Sequence, residues 1–141
     1  MTSPARGAVV DASVIVSYLL PDDAHHALTQ GWLRRQLLDG TPLVVPILLL
    51  TEVGGAISRR TRLPELAHRA VSQLQQLPVL RIVPVEHRLG LLAIELAVDL
   101  SLRGADAIYV ALAVQLHLPL VTWDGEQRER AAARASVSTP Q

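Results

Sequence analysis

The chain has 141 residues, half of them hydrophobic, and its formal net charge is zero, with every one of the thirteen basic residues an arginine. This length and composition suit one globular domain with a sizeable core and exclude a largely disordered chain. The absence of Cys excludes disulfides and thiolate chemistry, the absence of Lys excludes a Walker-type phosphate loop and a Schiff base, and the absence of Asn excludes N-glycosylation.

Apolar runs of strand length alternate with longer segments of helical periodicity. In chain order we predict a strand at 7–11, helices at 12–20 and 22–39, a strand at 43–45, helices at 47–61 and 64–77, a strand at 80–85, helices at 86–100 and 104–117, a strand at 119–122 and a helix at 124–135. Residues 136–141 form a tail or a short last strand. This alternation predicts an α/β fold in a single domain, with a central parallel sheet of four to five strands and helices on both faces.

Proline and glycine mark several of these boundaries. Pro21 ends the first helix, Gly40 closes the second, and Pro46 fits the first turn of the third. Pro84 indicates that the strand at 80–85 ends there or lies at an edge of the sheet.

No segment of the sequence has the length of a membrane span. The longest strongly apolar stretch, at 42–50, has nine residues, whereas a span needs about 20. The apolar run at 8–20 contains Asp11 and lacks a small-residue cleavage site, so it is a poor signal peptide. We therefore expect a cytoplasmic protein.

Three carboxylates fall near the carboxyl ends of predicted strands. Asp11 ends the first strand, Asp124 follows the fourth, and Asp106 lies in the first turn of the helix at 104–117, which enters from the same side. The carboxyl ends of parallel strands share one edge of the sheet, where open α/β folds bind ligands.

A fourth carboxylate, Glu52, lies on the helix at 47–61 and shares a face with Leu48, Leu49 and Ala56. A carboxylate on an apolar face is costly unless it is paired or bound to a metal. Gly54 and Gly55 follow in mid-helix, where two glycines cost about 2 kcal/mol relative to alanine. This cost indicates that something approaches the backbone closely at that point.

Each carboxylate also has an ordinary structural interpretation. Asp106 fits a helix-terminal acid, Asp124 an N-cap and Glu52 a half-exposed surface residue. If they converge, however, they repel, since two unit charges about 4 Å apart cost about 4 kcal/mol at an effective dielectric of about 20. A pocket of this kind raises the pKa values of its acids or holds a cation, and an all-oxygen site suits Mg²⁺ or Mn²⁺.

Four short motifs, in a fixed order, carry a family resemblance that covers almost the whole chain. They are VVDAS at 9–13, LTEV at 50–53, ADAIYVALA at 105–113 and LVTWD at 120–124. Together they resemble the PIN-domain ribonucleases, and in particular the VapC toxins of bacterial toxin–antitoxin pairs.

The resemblance implies a Mg²⁺-dependent endoribonuclease, with Mn²⁺ as the alternative ion, that hydrolyses RNA phosphodiester bonds as the toxin of a VapBC-type pair. The acidic positions of the family fall on Asp11, Glu52, Asp106 and Asp124, and Asp11 and Asp106 carry the expectation of direct metal ligation. The implied partners are an RNA substrate, a cognate VapB-like antitoxin that packs on an apolar groove, and a second copy of the chain in a homodimer. The apolar helices around Leu48 and Leu91 supply surface for such association.

Several neighbours of these acids are further candidates. The hydroxyl groups of Ser13 and Thr122 are placed to orient a carboxylate or a water molecule. Glu126 and Glu129 lie close behind Asp124 and could share its role. The five histidines all fall on predicted helices away from the sheet edge, so a histidine-dependent mechanism is not supported.

Apart from the four acids, the remaining charged residues sum to +4, which suits contact with phosphates. The candidate contacts are Arg59, Arg60, Arg62 and Arg103, although cations at the end of a helix are also favourable by themselves. With two Trp, two Tyr and no Phe, base stacking is not expected to be a major recognition device.

Three other functions are compatible with parts of this pattern. A signalling receiver module also has an acidic metal pocket, but it needs a Lys that this chain lacks. A PIN-like domain that only binds partners would not need its acids for turnover. A nuclease of this fold could also act on DNA, or outside toxin–antitoxin control.

Overall fold

The computed structural model describes residues 6–141, and within them the chain forms five strands and seven helices. The strands are β1 (Ala8–Val10), β2 (Leu43–Pro46), β3 (Leu80–Val83), β4 (Leu120–Val121) and β5 (Val137–Ser138). The helices are α1 (Ala12–Leu19), α2 (His26–Asp39), α3 (Leu48–Thr61), α4 (Pro64–Gln75), α5 (His87–Leu100), α6 (Gly104–Leu116) and α7 (Gly125–Ala131).

The five strands form one parallel sheet in the order β3-β2-β1-β4-β5. β1 lies at the centre, and Val9 pairs with Val44 on one side and Leu120 on the other. Helices α1 to α4 pack in one group, and α5 packs with α6, which contacts β1, β2 and β4. The predicted fold class, a single parallel α/β domain, is confirmed.

The core explains why these short strands are stable. All three residues of β1 are buried, and Leu43, Val45 and Leu120 of its neighbours are completely enclosed. A parallel strand that is covered on both faces needs such continuous apolar runs. The sheet therefore fixes the carboxyl ends of β1 and β4 side by side.

Most predicted elements are confirmed, and the proline and glycine signals account for several ends. Gly40 adopts the left-handed conformation (φ +64°) that closes α2. Both alternatives for Pro84 hold, because β3 ends at Val83 and is an edge strand.

The predicted start of α2 at residue 22 is wrong, since the helix begins at His26. The carboxylate of Asp23 accepts a hydrogen bond from the backbone N–H of His25 at 2.9 Å and pairs with Arg60 of α3 at 3.1 Å. These contacts hold residues 21–25 in a turn.

Two other boundaries differ from the prediction. Pro46 does not begin α3 but ends β2, where it lies opposite Val83. The last helix ends at Ala131 rather than at residue 135, and residues 132–134 form a turn in which the N–H groups of Arg134 and Ala135 both donate to the carbonyl of Ala131. That turn leads the chain into β5. No helix among residues 6–141 has both the length and the apolar character needed to cross a bilayer.

Candidate active site

Asp11 is held rigidly at the carboxyl end of β1, where it is also the N-cap of α1. Its Oδ1 accepts hydrogen bonds from the Ser13 hydroxyl at 2.6 Å and the Ser13 N–H at 3.1 Å, and its Oδ2 accepts one from the Thr122 hydroxyl at 2.5 Å. The side chain is only 5% exposed. Burial raises the pKa of Asp11, and the charge of Asp124 adds to this, although the hydrogen bonds from Ser13 and Thr122 oppose it.

Ser13 and Thr122 join the ends of β1 and β4. The Ser13 hydroxyl accepts the backbone N–H of Trp123 at 3.0 Å, and the Thr122 hydroxyl accepts that of Asp124 at 3.0 Å. Thr122 is completely buried. The two hydroxyls therefore fix the position of Asp11 relative to the turn that carries Asp124.

Glu52 enters the site from α3, and it is half-buried and paired. The buried Tyr109 hydroxyl donates a hydrogen bond to Glu52 Oε1 at 2.5 Å. Burial is the first cause that raises the pKa of Tyr109, and the carboxylate of Glu52 is the next. The phenol therefore stays protonated and donates to Glu52 throughout the physiological range.

Asp106 interacts electrostatically with the other three carboxylates. Its pKa is raised to about 6, mainly by burial and then by the charges of Asp124, Asp11 and Glu52, in that order. Arg103, the residue before α6, partly opposes it. We call Asp11, Glu52, Asp106 and Asp124 the carboxylate cluster.

Asp124 combines the structural role of an N-cap with a place in the cluster. It caps α7 by accepting hydrogen bonds from the N–H groups of Glu126 and Gln127, at 3.0 and 3.2 Å. Glu126 instead forms an ion pair with Arg130 at 2.7 Å on the exposed side of α7. Among the acids, Asp124 has the largest effect on the pKa of Asp106, although Glu126 lines a small pocket together with Asp106.

An open cleft of about 650 Å³ lies over Glu52 and Asp124. Arg59 and Arg60 of α3 line it as well, whereas Arg62 is not part of its lining. The cleft is large enough for a nucleotide, and its walls carry Glu52 and Asp124 together with cations suited to phosphate, whereas Asp11 and Asp106 are not part of its lining.

The prediction that all five histidines lie away from this edge is wrong for His25. Because α2 starts later than predicted, His25 is in the turn before it, and its ring stacks on Trp123 inside the cleft at a centroid distance of 3.9 Å. The other four histidines are not among the residues that line the cleft.

Sequence reasoning missed two further polar residues that support the cluster. Tyr109 lies three residues after Asp106 on α6, so the helical repeat alone could have placed the two on one face. Gln127 is 1% exposed, and its Nε2 donates to the backbone carbonyl of Asp106 at 3.4 Å. Nothing in the sequence distinguishes Gln127 from the solvated residues around it on α7.

Whether these residues suit a divalent cation follows from their donor set. All four members of the cluster offer carboxylate oxygens, the ligands that Mg²⁺ prefers, and their mutual repulsion is what a cation relieves. Among residues 6–141, no three Asp, Glu or His side chains are gathered into a ready-made metal-binding group. Mg²⁺ usually takes one or two carboxylates and completes its shell with water, so it does not require a larger group of protein ligands.

The fold and the site now define a class of protein. The family model of the PIN domain matches residues 8–133, and the chain belongs to the PIN-domain family. No curated protein shows significant sequence similarity to this chain.

Solved structures of similar fold come from several bacteria. VapC20 of Mycobacterium tuberculosis, a toxin that cleaves the sarcin–ricin loop, has 21% identity and a TM-score of 0.71, over 89% of this chain and 94% of its own. VapBC2 of Rickettsia felis, bound to a promoter DNA fragment, has 14% identity and a TM-score of 0.74, over 96% and 99%. A toxin–antitoxin complex from Klebsiella pneumoniae has 18% identity and a TM-score of 0.65, over 95% and 98%. At these identities the likeness is one of fold.

Proposed function

We propose that the protein is a Mg²⁺-dependent endoribonuclease that hydrolyses RNA phosphodiester bonds in the cytoplasm, as the toxin of a VapBC-type toxin–antitoxin pair. Membership of the PIN family, a family of nucleases, supports hydrolysis of a nucleic acid. The observation that carries the proposal is that Asp106, whose pKa is raised first by its burial, lies close enough to Asp124, Asp11 and Glu52 for their charges to raise it further. Carboxylates brought together in this way are typical of a functional site.

Asp11 and Asp106 are the proposed metal ligands, with Mn²⁺ as an alternative to Mg²⁺. Asp11 is oriented by Ser13 and Thr122, so its oxygens are fixed before a cation arrives. The chemistry supplied by a divalent cation here is activation of water and neutralisation of charge on the phosphate. Glu52 and Asp124 line the cleft and are the carboxylates available to take the proton from the attacking water.

The arginines near the cluster supply the contacts that a polyanion needs. Arg59 lines the cleft from the last turn of α3, and Arg103 lies close enough to Asp106 to affect its pKa. Arg60 also lines the cleft but already pairs with Asp23. We therefore propose Arg59 and Arg103 as the principal phosphate contacts.

Cleavage of RNA by the purified protein tests this function. We expect Mg²⁺ to support cleavage, EDTA to abolish it, and Asp11→Asn or Asp106→Asn to reduce it by at least about a hundredfold, since even partners of metal ligands change affinity about 10- to 100-fold. Asparagine keeps the shape of aspartate and can still cap α1. Activity that is equal in the Asn variants would overturn the catalytic assignment, and an absence of cleavage would indicate a PIN domain that only binds partners.

The same assay with DNA of matched sequence separates an RNA from a DNA nuclease. In cells, expression of the chain is expected to arrest growth, and Asp106→Asn is expected to relieve the arrest. A nuclease that cleaves RNA without arresting growth would act outside toxin–antitoxin control.

An antitoxin and a second copy of the chain are the proposed protein partners. Structures of similar fold include toxin–antitoxin complexes, which supports an antitoxin partner. A groove of mixed polar and apolar lining between α1, α3 and α4, to which Leu19, Leu66, Arg69 and Gln73 contribute, is the proposed antitoxin site. Leu91, Ile94 and Val98 form an exposed face of α5, which we propose as the homodimer contact, whereas Leu48 is half-buried and contributes less surface than expected.

A further inference from the structure

We propose that the stacked rings of His25 and Trp123 form a platform on which an unpaired nucleobase of the substrate stacks, next to the phosphate held at the carboxylate cluster. This inference rests on the proposed function and adds to it the form of RNA that the site takes. The low aromatic content of the chain argued against stacking as a recognition device, but two of its flat rings are placed together in the cleft.

The geometry of the two rings suits one more layer. Their centroids are 3.9 Å apart and their planes are inclined by only 8°. Of the two rings, Trp123 is half-buried and His25 is exposed, and both line the cleft. The imidazole is therefore the more accessible ring of the stack. Stacking on aromatic rings accepts any base, because every base has a π face.

Trp123 is fixed by a chain of buried hydrogen bonds. Its Nε1–H donates to the Thr29 hydroxyl at 2.8 Å, and Thr29, which is completely buried, shares a second hydrogen bond of 2.7 Å with Ser17. The indole nitrogen therefore has its hydrogen-bond partner within the protein, and the ring is held in place under His25. A contact fixed before binding loses little entropy when a ligand arrives.

His25 is braced separately by the turn that precedes α2. Asp23 accepts the backbone N–H of His25 and pairs with Arg60, which ties this turn to α3 across the cleft. The platform is thus held from both sides, by α2 and by α3.

The place of the platform in the chain links it to the chemistry. Trp123 stands between Thr122, which orients Asp11, and Asp124 of the carboxylate cluster. Arg59 lines the same cleft. Because Glu52 and Asp124 of the cluster line the same cleft as the two rings, a phosphate held beside these acids puts its neighbouring base next to the rings. Only a base that is unpaired can lie flat on them.

The test compares binding of a fluorescently labelled single-stranded oligoribonucleotide with binding of its duplex, by anisotropy, in an Asp106→Asn background that leaves the RNA intact. Stacking is worth about 1–3 kcal/mol per base, so His25→Ala is expected to weaken single-strand binding about 5- to 150-fold. Duplex binding is expected to stay unchanged. His25→Phe keeps a flat ring and should restore the affinity, and His87→Ala, at an exposed histidine outside the cleft lining, is the matched control.

Oligonucleotides with a single abasic position identify stacking as the cause. With both rings present, one abasic position should reduce affinity, and in the double variant His25→Ala, Trp123→Ala the same position should have no further effect. The proposal is overturned if His25→Ala binds single strands as before, if His25→Phe is as weak as His25→Ala, or if the loss is the same for a fully abasic strand. Cleavage of RNA by the wild type tests the proposed function separately, so either can fail while the other stands.

Discussion

At the scale of single residues, the protonation of Asp106 is the property of the site that is most directly testable by experiment. Its pKa of about 6 lies above the value of 3.8 expected for the unfolded chain. Between these two values the folded protein retains a proton that the unfolded chain has lost, so the stability that depends on Asp106 is complete below about pH 4 and is lost as the pH rises through about 6.

We therefore predict that Asp106→Asn stabilises the metal-free protein above pH 6, by on the order of 1 kcal/mol for a half-buried side chain, and has no such effect near pH 4. Thermal unfolding of both proteins in EDTA across this range measures the difference. Asp23, whose pKa is lowered, is common to both proteins and cancels. Asp11 interacts with Asp106, so it loses a neighbouring like charge in the variant, which acts in the same direction as the stabilisation. Added Mg²⁺ should then stabilise the wild type alone at pH 8, and equal stabilisation of the variant would contradict ligation by Asp106.

Tyr109 is predicted to act on the reaction only through Glu52. Tyr109→Phe removes the hydroxyl that donates to Glu52 Oε1, and we expect cleavage to slow about tenfold, the lower end of the effect of such supporting partners. If Tyr109 is a positioning residue, the double variant with Glu52→Gln should be no slower than Glu52→Gln alone. Losses that multiply would show that the two residues act independently.

The structure also separates Asp124 from the acids that follow it. Asp124→Asn preserves a good N-cap for α7, so we expect unchanged thermal stability and a loss of cleavage of at least about tenfold. Glu126→Gln and Glu129→Gln should cleave RNA at nearly the wild-type rate, because neither acid lines the cleft and Glu126 is paired with Arg130. A larger loss in either Gln variant than in Asp124→Asn would assign the fourth carboxylate elsewhere.

At the scale of elements, the adjacent glycines of α3 have different reasons to be there. A Cβ on Gly54 would come within 3.2 Å of Val71 Cγ2 on α4, where the two helices pack together. A Cβ on Gly55 would meet only the mobile end of the Arg59 side chain, at 3.1 Å. The close approach predicted from the sequence is thus the contact of α3 with α4, and it involves Gly54.

The two positions make a matched pair for one substitution. Gly55→Ala should stabilise the protein by up to about 1 kcal/mol through helix propensity, whereas Gly54→Ala should lose that gain to overpacking against Val71. Urea unfolding measures both. Combining Gly54→Ala with Val71→Ala should recover the gain, and equal stabilisation by the two single variants would refute the packing explanation.

At the scale of the whole molecule, α5 exposes an apolar face to solvent, which is unfavourable in a monomer and favours association. Leu91, Ile94 and Val98 are 54%, 63% and 75% exposed, and their spacing puts them on one face. We predict that Ile94→Arg converts a dimer into a monomer, as measured by light scattering during gel filtration. Leu38→Arg is the control, because Leu38 is 80% exposed on α2 and lies on a different helix. A wild-type monomer, or a dimer that survives Ile94→Arg, would rule out this face.

Much of the fold was readable from the sequence because it depends on local signals. Buried strands such as Val9–Val10 appear as continuous apolar runs, and Gly40 marks the end of a helix by its backbone freedom. The errors came where a side chain from a distant element overrode a local signal. Arg60 of α3 helps Asp23 to hold the turn before α2, and no pattern within residues 21–26 encodes that contact.

The sequence by itself determined the parallel α/β fold and proposed the four carboxylates as its site, because strand ends and helix starts follow from composition and periodicity along the chain. Only the tertiary structure decided which groups support them: Tyr109 beside Glu52, Gln127 beneath Asp106, and His25 stacked on Trp123. These contacts join residues up to about a hundred positions apart, and they depend on the packing of side chains in three dimensions, which periodicity does not specify.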